Sequence, residues 1–190
     1  MKELVLSEKQ LDEVISNVAE ELNKEYENTN RIPVLVCVLK GAANFMYDLL
    51  KKLRFNCITD FVQVSSYEGV KSTGIINLKK DCSENLRNKE VIIVEDTIDS
   101  GITLKYLVEY IKSKHRPKSV KICCLIDKKA KREVNLTPDY TGLVMNEDKF
   151  LVGYGFDYFE LFRNIPYIFV PTTEEIKEWD KLLEEKNLKN

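Results

Sequence analysis

The residues best suited to chemistry lie in one stretch, Glu95-Asp96-Thr97-Ile98-Asp99-Ser100-Gly101-Ile102-Thr103. Two neighbouring carboxylates, Glu95 and Asp96, can accept hydrogen bonds from a vicinal diol or help hold Mg²⁺ through water. The run Ser100-Gly101-Ile102-Thr103 has what a phosphate needs. Gly101 lets the backbone come close, amide N–H groups are free at a helix start, and hydroxyls add donors. Asp99 lies between the two parts, within reach of a sugar flanked by its hydroxyls and its phosphate. Taken singly, Asp96, Asp99 or Ser100 reads as a turn or cap residue. Capping needs one acceptor, however, not three carboxylates and a hydroxyl–glycine–hydroxyl turn. The whole stretch reads as a sugar-phosphate site.

Competing motifs fail. Gly69 to Gly74 has G-x-x-x-x-G spacing, but Ile75 and Ile76 replace the required Lys and Ser or Thr. Gly153-Tyr154-Gly155 begins a dinucleotide fingerprint without its third glycine. The single histidine, His115, falls in a basic stretch where a helix ends, a place that suits a cation. One histidine argues against a Ser-His-Asp or Cys-His hydrolase and against a multi-histidine metal centre.

Bulk properties narrow the field further. The 190 residues suit one well-buried domain. A balance of 29 basic against 31 acidic residues argues against a nucleic-acid partner held by a basic surface, so any anion site is local. Five cysteines form no C-x-x-C; several sit in apolar runs and read as small buried hydrophobes, and a reducing, cytoplasmic setting fits. Met1-Lys2-Glu3 runs into a charged amphipathic stretch, which does not resemble a signal peptide. No apolar run approaches the ~20 residues of a membrane span.

The elements that position the motif alternate. Ser7 and Gln10 make a capping box before a helix with Leu11, Val14, Ile15, Val18 and Leu22 on one face. Val34 to Leu39 reads as a buried strand, and Phe45, Met46, Leu49, Leu50 and Leu53 mark a helix. Ile58 to Val64 reads as a strand, residues 65–74 as an exposed loop, and Ile75 to Leu78 as a short strand. Val91 to Val94 is the strongest buried strand, followed by a helix with Leu104, Leu107, Val108 and Ile111. Strands over Val120 to Ile126, Phe150 to Val152 and Tyr167 to Val170 complete the pattern, and Thr172 with Glu175 caps a final helix. Such alternation predicts an α/β fold with a mostly parallel sheet, its ligands beyond the carboxyl ends of the strands. The acidic pair emerges there. Because neighbouring strand residues face opposite ways, both carboxylates serve one site only if the backbone turns at them.

The run from Glu95 to Leu104 resembles the phosphoribosyl pyrophosphate signature of the type I phosphoribosyltransferases. Leu39-Lys40-Gly41, Ser66-Tyr67, Asp127-Lys128-Lys129, and Phe150-Leu151-Val152-Gly153-Tyr154-Gly155-Phe156-Asp157-Tyr158 continuing to Arg163 resemble the hypoxanthine-guanine branch, in the right order. The resemblance implies one domain over residues 1–190, with a core of about 30–150 and a small hood from about 1–15 and 150–180. It implies transfer of the phosphoribosyl group to hypoxanthine or guanine, forming IMP or GMP and pyrophosphate in purine salvage.

It further implies roles for single residues. Glu95 and Asp96 would bind the ribose hydroxyls, partly through Mg²⁺. Asp99 would be the general acid or base near purine N7, and residues Asp99, Ser100, Gly101, Ile102 and Thr103 would hold the 5′-phosphate. Lys40 and Gly41, after a strained Leu39–Lys40 peptide, would face pyrophosphate with Arg163, and Ser66 and Tyr67 would sit on a loop that closes over it. Lys128 would donate to purine O6, Phe150 would stack on the base, and Leu151 would offer its carbonyl to the purine edge. Asp157, next to the base, would hold a magnesium. The family's members form dimers or tetramers.

Without the family, Lys128-Lys129-Ala130-Lys131-Arg132 reads as a solvated basic run and Phe150 as core. Phe156, Phe159 and Leu161 are bulkier than the family pattern, so the preference among hypoxanthine, guanine and xanthine stays open. A uracil-type transferase that doubles as an RNA-binding regulator is opposed by Lys128, by the Phe150 to Asp157 segment and by the near-neutral charge. A phospho-acceptor receiver domain also binds Mg²⁺ with paired carboxylates. It carries them on its first strand, however, and has no use for the Ser100 to Thr103 turn.

Overall fold

The computed structural model describes residues 2–66 and 76–186. In chain order the elements are β1 (Glu3–Leu6), α1 (Glu8–Tyr26), β2 (Val34–Leu39), α2 (Ala43–Leu50), β3 (Ile58–Ser66), β4 (Ile76–Lys80), β5 (Glu90–Ile98), α3 (Ile102–Tyr110), β6 (Ser119–Lys128), β7 (Tyr140–Met145), β8 (Ile168–Val170) and α4 (Thr173–Glu185). Contacts divide the chain into two compact units, Val14–Asp148 and Met1–Glu13 with Lys149–Asn190.

The larger unit holds a six-stranded sheet in the order β4-β3-β2-β5-β6-β7. All neighbours are parallel except β3 and β4. This is the mostly parallel α/β sheet that the apolar runs predict. Strands buried on both faces read as continuous apolar runs. Val34 to Val38 and Val91 to Val94 are all buried. On one face Val34, Val36, Val91 and Ile93 pack with Leu104, Leu107 and Ile111, the apolar stripe of α3 and of the π-helical turn Ile111–His115 that continues it. Each such side chain contributes about 1.5–3 kcal/mol by leaving water.

Besides the helix that stops at Leu50 short of Leu53 and the strand lost around Val152, three elements depart from the expectation. First, β5 runs four residues beyond Val94, because Glu95, Thr97 and Ile98 still pair with β6. Second, β7 has no clear apolar alternation, and Gly142 interrupts it. A Cβ there would come within 2.6 Å of the Leu125 carbonyl, so the strand lacks a side chain where β6 presses closest. Third, β1 forms in a stretch too short to show a period.

In the smaller unit β1 and β8 make a two-stranded antiparallel ribbon. The expected strand over Phe150 to Val152 reduces to a single bridge, Val152 to Phe169. The Thr172–Glu175 capping box starts α4 as predicted. At the other end of this unit the Ser7 hydroxyl accepts from the Gln10 amide at 3.3 Å, while Gln10 Oε1 accepts from Ser7 N at 2.9 Å.

Candidate active site

The site is assembled where β2, β5 and β6 end. Glu95 and Asp96 are half-buried and adjacent, and the backbone does not turn at them. It stays extended to Ile98, so the turn that strand geometry asks for is not formed, and the two carboxyls meet only through the Glu95 side chain. The Glu95 side chain curls back, and its Oε1 accepts the Asp96 amide at 3.2 Å. Asp96 Oδ1 in turn accepts from Thr97 N at 2.8 Å. Burial first, then the neighbouring Asp96 charge, push the Glu95 carboxyl well above the usual carboxylate range.

Asp96 lies against the loop after β2. The two strands are neighbours in the sheet, with Cys37 opposite Val94. A Cβ on Gly41 would fall 1.9 Å from Asp96 Oδ2. Only glycine leaves room for the carboxylate there. The Leu39–Lys40 peptide just before it is cis, and Lys40 is exposed.

The turn after β5 closes a cavity of about 160 Å³, lined by Glu95, Thr97, Ile98, Asp99, Ser100, Gly101, Thr103 and Leu104. Gly101 takes a left-handed φ of 81°, a conformation that suits glycine, and it caps α3. Ser100 Oγ accepts from Ile102 N at 3.3 Å. Thr97 Oγ1 is buried on this cavity without a hydrogen-bond partner among the described residues. A buried hydroxyl left in that condition suits a polar ligand. Thr97 was not singled out from the sequence, since a threonine in a strand looks like any β-branched residue.

Lys128 ends β6 and is only 5% exposed. Its Nζ stands 3.1 Å from Asp99 Oδ1, an ion pair whose angles fall short of a hydrogen bond. The solvated reading of the basic run therefore fails for Lys128. It fails also for Arg132, 15% exposed at its side chain, but holds for Lys129 and Lys131.

Among the expected residues, the larger unit thus brings together Gly41, Glu95, Asp96, Asp99, Ser100, Gly101, Thr103 and Lys128. The exposed Ile102 opens α3. Ser66 ends β3, and Tyr67 lies outside the described residues.

The smaller unit gathers the rest. Phe150 is 50% exposed, which overturns its reading as core, and it meets Tyr158 edge-on at 6.0 Å. Leu151 is buried. Positive φ values at Gly153, Tyr154 and Gly155 coil the following segment. Asp157 and Arg163 face each other at 2.8 Å, Asp157 Oδ2 accepts from Glu160 N, and Arg163 Nη1 donates to the Gly155 carbonyl.

A larger cavity, about 590 Å³, opens at the amino ends of β2 and β3, with Arg31 and Arg54 among its walls. Both arginines are taken by glutamates, Arg54 by Glu20 and Glu27 and Arg31 by Glu25 and Glu90. Their charge is already matched, which leaves the smaller cavity as the candidate site.

Glu95 and Asp96 form an oxygen-donor pair that suits a hard divalent cation such as Mg²⁺, since a cation would relieve the burial of two neighbouring carboxyls. Asp157 also has oxygen donors, but it would have to share them with Arg163. Among the described residues no helix is long and apolar enough to cross a membrane.

Residues 5–158 match the family model of the phosphoribosyl transferase domain. The chain is 45% identical over 169 residues to the bifunctional protein TilS/HprT of Listeria monocytogenes, a match covering 88% of this chain and 26% of that protein. It therefore spans about a quarter of the length of that relative. It is 41% identical over 166 residues to the hypoxanthine phosphoribosyltransferase of Buchnera aphidicola, covering 87% of this chain and 93% of the relative. A crystal structure of a hypoxanthine-guanine phosphoribosyltransferase from Bacillus anthracis is similar with a TM-score of 0.82 and 38% identity, covering 90% of this chain and 99% of that one.

Proposed function

The chain belongs to the phosphoribosyl transferase family, and from that premise we propose that it transfers the phosphoribosyl group of phosphoribosyl pyrophosphate to hypoxanthine or guanine. The bond from the anomeric carbon to pyrophosphate breaks, a bond to a ring nitrogen of the base forms, and IMP or GMP leaves with pyrophosphate. The reading places this reaction in purine salvage and in the cytoplasm, in a homodimer or homotetramer.

One observation supports it above the others. Glu95, Asp99 and the amide-rich turn from Ser100 share the rim of one small cavity, with a buried lysine 3.1 Å from the Asp99 carboxylate. Glu95 and Asp96 bind the ribose hydroxyls. Ser100 to Thr103 hold the 5′-phosphate with amides and hydroxyls at the start of α3. Asp99 takes the proton that the base loses at N7 as the other imidazole nitrogen attacks, or returns it in the reverse direction. Lys128 donates to O6 of the base. An amino group at that position would set two donors against each other, so the lysine rejects adenine.

Bound to Glu95 and Asp96, and in this reading to Asp157, Mg²⁺ would offset negative charge on pyrophosphate and its leaving oxygen. Lys40, the Gly41 amide, Ser66, Tyr67 and Arg163 are assigned to pyrophosphate, and Phe150 and Leu151 to the base. Each is a separate proposal, carried by the family resemblance and open to single substitutions.

The test is pyrophosphate release with hypoxanthine, guanine, xanthine, adenine and uracil in parallel, with phosphoribosyl pyrophosphate and Mg²⁺. Hypoxanthine and guanine should turn over well above adenine and uracil. Turnover led by uracil, or none with any base, overturns the assignment.

A further inference from the structure

Arg132 closes the basic run after β6, yet its guanidinium is turned inward and consumed by the turn that follows β5. Nε donates to the Asp99 carbonyl at 3.1 Å and Nη2 to the Ile98 carbonyl at 3.3 Å. Nη2 also contacts Asp127, whose side chain is 4% exposed, and Nη1 donates to the Leu136 carbonyl. The next residue continues the pattern, with Glu133 N donating to the Ser100 carbonyl at 3.0 Å. Three successive carbonyls of the turn are thus held by two successive residues.

This arrangement has a geometric consequence. In a planar trans peptide the N–H points opposite to the C=O. With the carbonyls of Asp99 and Ser100 tied to Arg132 and Glu133, the amides of Ser100 and Gly101 face the other side of the turn, where the cavity lies. Gly101 presses its back on the same support, since a Cβ there would meet Val134 Cγ2 at 2.9 Å and Arg132 Cδ at 3.2 Å.

We infer that Arg132 is a positioning residue, which aims the backbone amides of the 99–101 turn at the phosphate monoester of the ribosyl substrate. The inference rests on the transferase reading and adds to it a residue that touches no substrate. Asp127 already balances the charge of Arg132, so the guanidinium acts through the shape of its fork rather than as a counter-ion for phosphate. A lysine would keep the charge and lose the fork.

The test compares IMP with inosine, which lacks the phosphate, by calorimetry on the whole chain and on Arg132→Lys. The wild-type chain should bind IMP more tightly. In the variant, IMP should weaken about tenfold or more, since a small misplacement of a binding group costs on that order. Inosine should stay within about twofold, and KM for phosphoribosyl pyrophosphate should rise while KM for hypoxanthine does not. A double variant, Asp127→Asn with Arg132→Met, removes the pair without leaving a buried charge. It should show the same selective loss. Equal weakening of both ligands, or of neither, in both variants overturns the inference. A wild-type chain that binds inosine as well as IMP refutes the transferase reading, and this inference with it.

Discussion

The Lys128 ammonium stands 3.1 Å from the Asp99 carboxylate because the sheet places them side by side. Ile98 on β5 is in register with Asp127 on β6, so Asp99, just past β5, falls beside Lys128, the last residue of β6. N7 and O6 of a 6-oxopurine lie on one edge of the base. The lysine donor fits O6, and the carboxylate acceptor fits N7 when that nitrogen carries its proton.

Lys128→Ala removes the donor to O6. KM for hypoxanthine should rise, and the preference for hypoxanthine over adenine should fall by about two orders of magnitude, the scale on which a misplaced polar pairing is punished. The ratio of kcat/KM for the two bases measures it. Intact discrimination would show that another group reads O6.

Asp99→Asn keeps the shape and loses the base. Turnover should drop about a hundredfold or more, the range for a positioned acid or base. KM for phosphoribosyl pyrophosphate should change little, because the phosphate turn is built from backbone amides. Steady-state kinetics in both substrates separates the two, and unchanged kcat would remove Asp99 from proton transfer.

Gly41→Ala should displace Asp96, whose Oδ2 occupies the place of the new methyl, 1.9 Å from it. Overpacking of this kind costs about 1–3 kcal/mol. The Mg²⁺ concentration for half-maximal activity should rise severalfold, while the melting temperature falls by roughly 2–12 °C, the range that such a cost implies. A variant with an unchanged Mg²⁺ profile would show that Asp96 is not a metal-linked group.

Asp81 gives the protein an acid-sensitive tie. Burial raises its pKa, but hydrogen bonds from Tyr110, Lys114 and His115 outweigh burial and hold the carboxyl well below its ordinary value. A depressed folded pKa contributes stability above the unfolded value of about 4, and that stability fades as pH falls through the folded one. Asp81→Asn should therefore lower the melting temperature at pH 7 by about 2–4 °C, a modest amount because the carboxylate is partly solvated. The gap between the two proteins should shrink below about pH 4. Melting curves from pH 7 to 3 test this, and a gap that does not shrink would rule out the tie.

The central strands and the placement of the acidic stretch were legible because both are written in contiguous residues. A buried parallel strand needs an unbroken apolar run, as in Val34 to Leu39 and Val91 to Val94, and a phosphate turn needs its glycine and hydroxyls in a row. Strand β7 was not legible, since its glycine answers to the Leu125 carbonyl across the sheet. Nor was the division of the basic run, in which Lys128 and Arg132 turn inward and Lys129 and Lys131 face water.

The amino-acid order by itself determined the central strands and the helices that cover them, and set the expectation of a sugar phosphate at the strand ends. Only the tertiary structure decided which basic side chains are drawn inside and which carboxylate each one meets. The reason is physical: periodicity and turn chemistry act within a few residues, whereas burial and ion pairing depend on the register of strands about 30 residues apart in the chain.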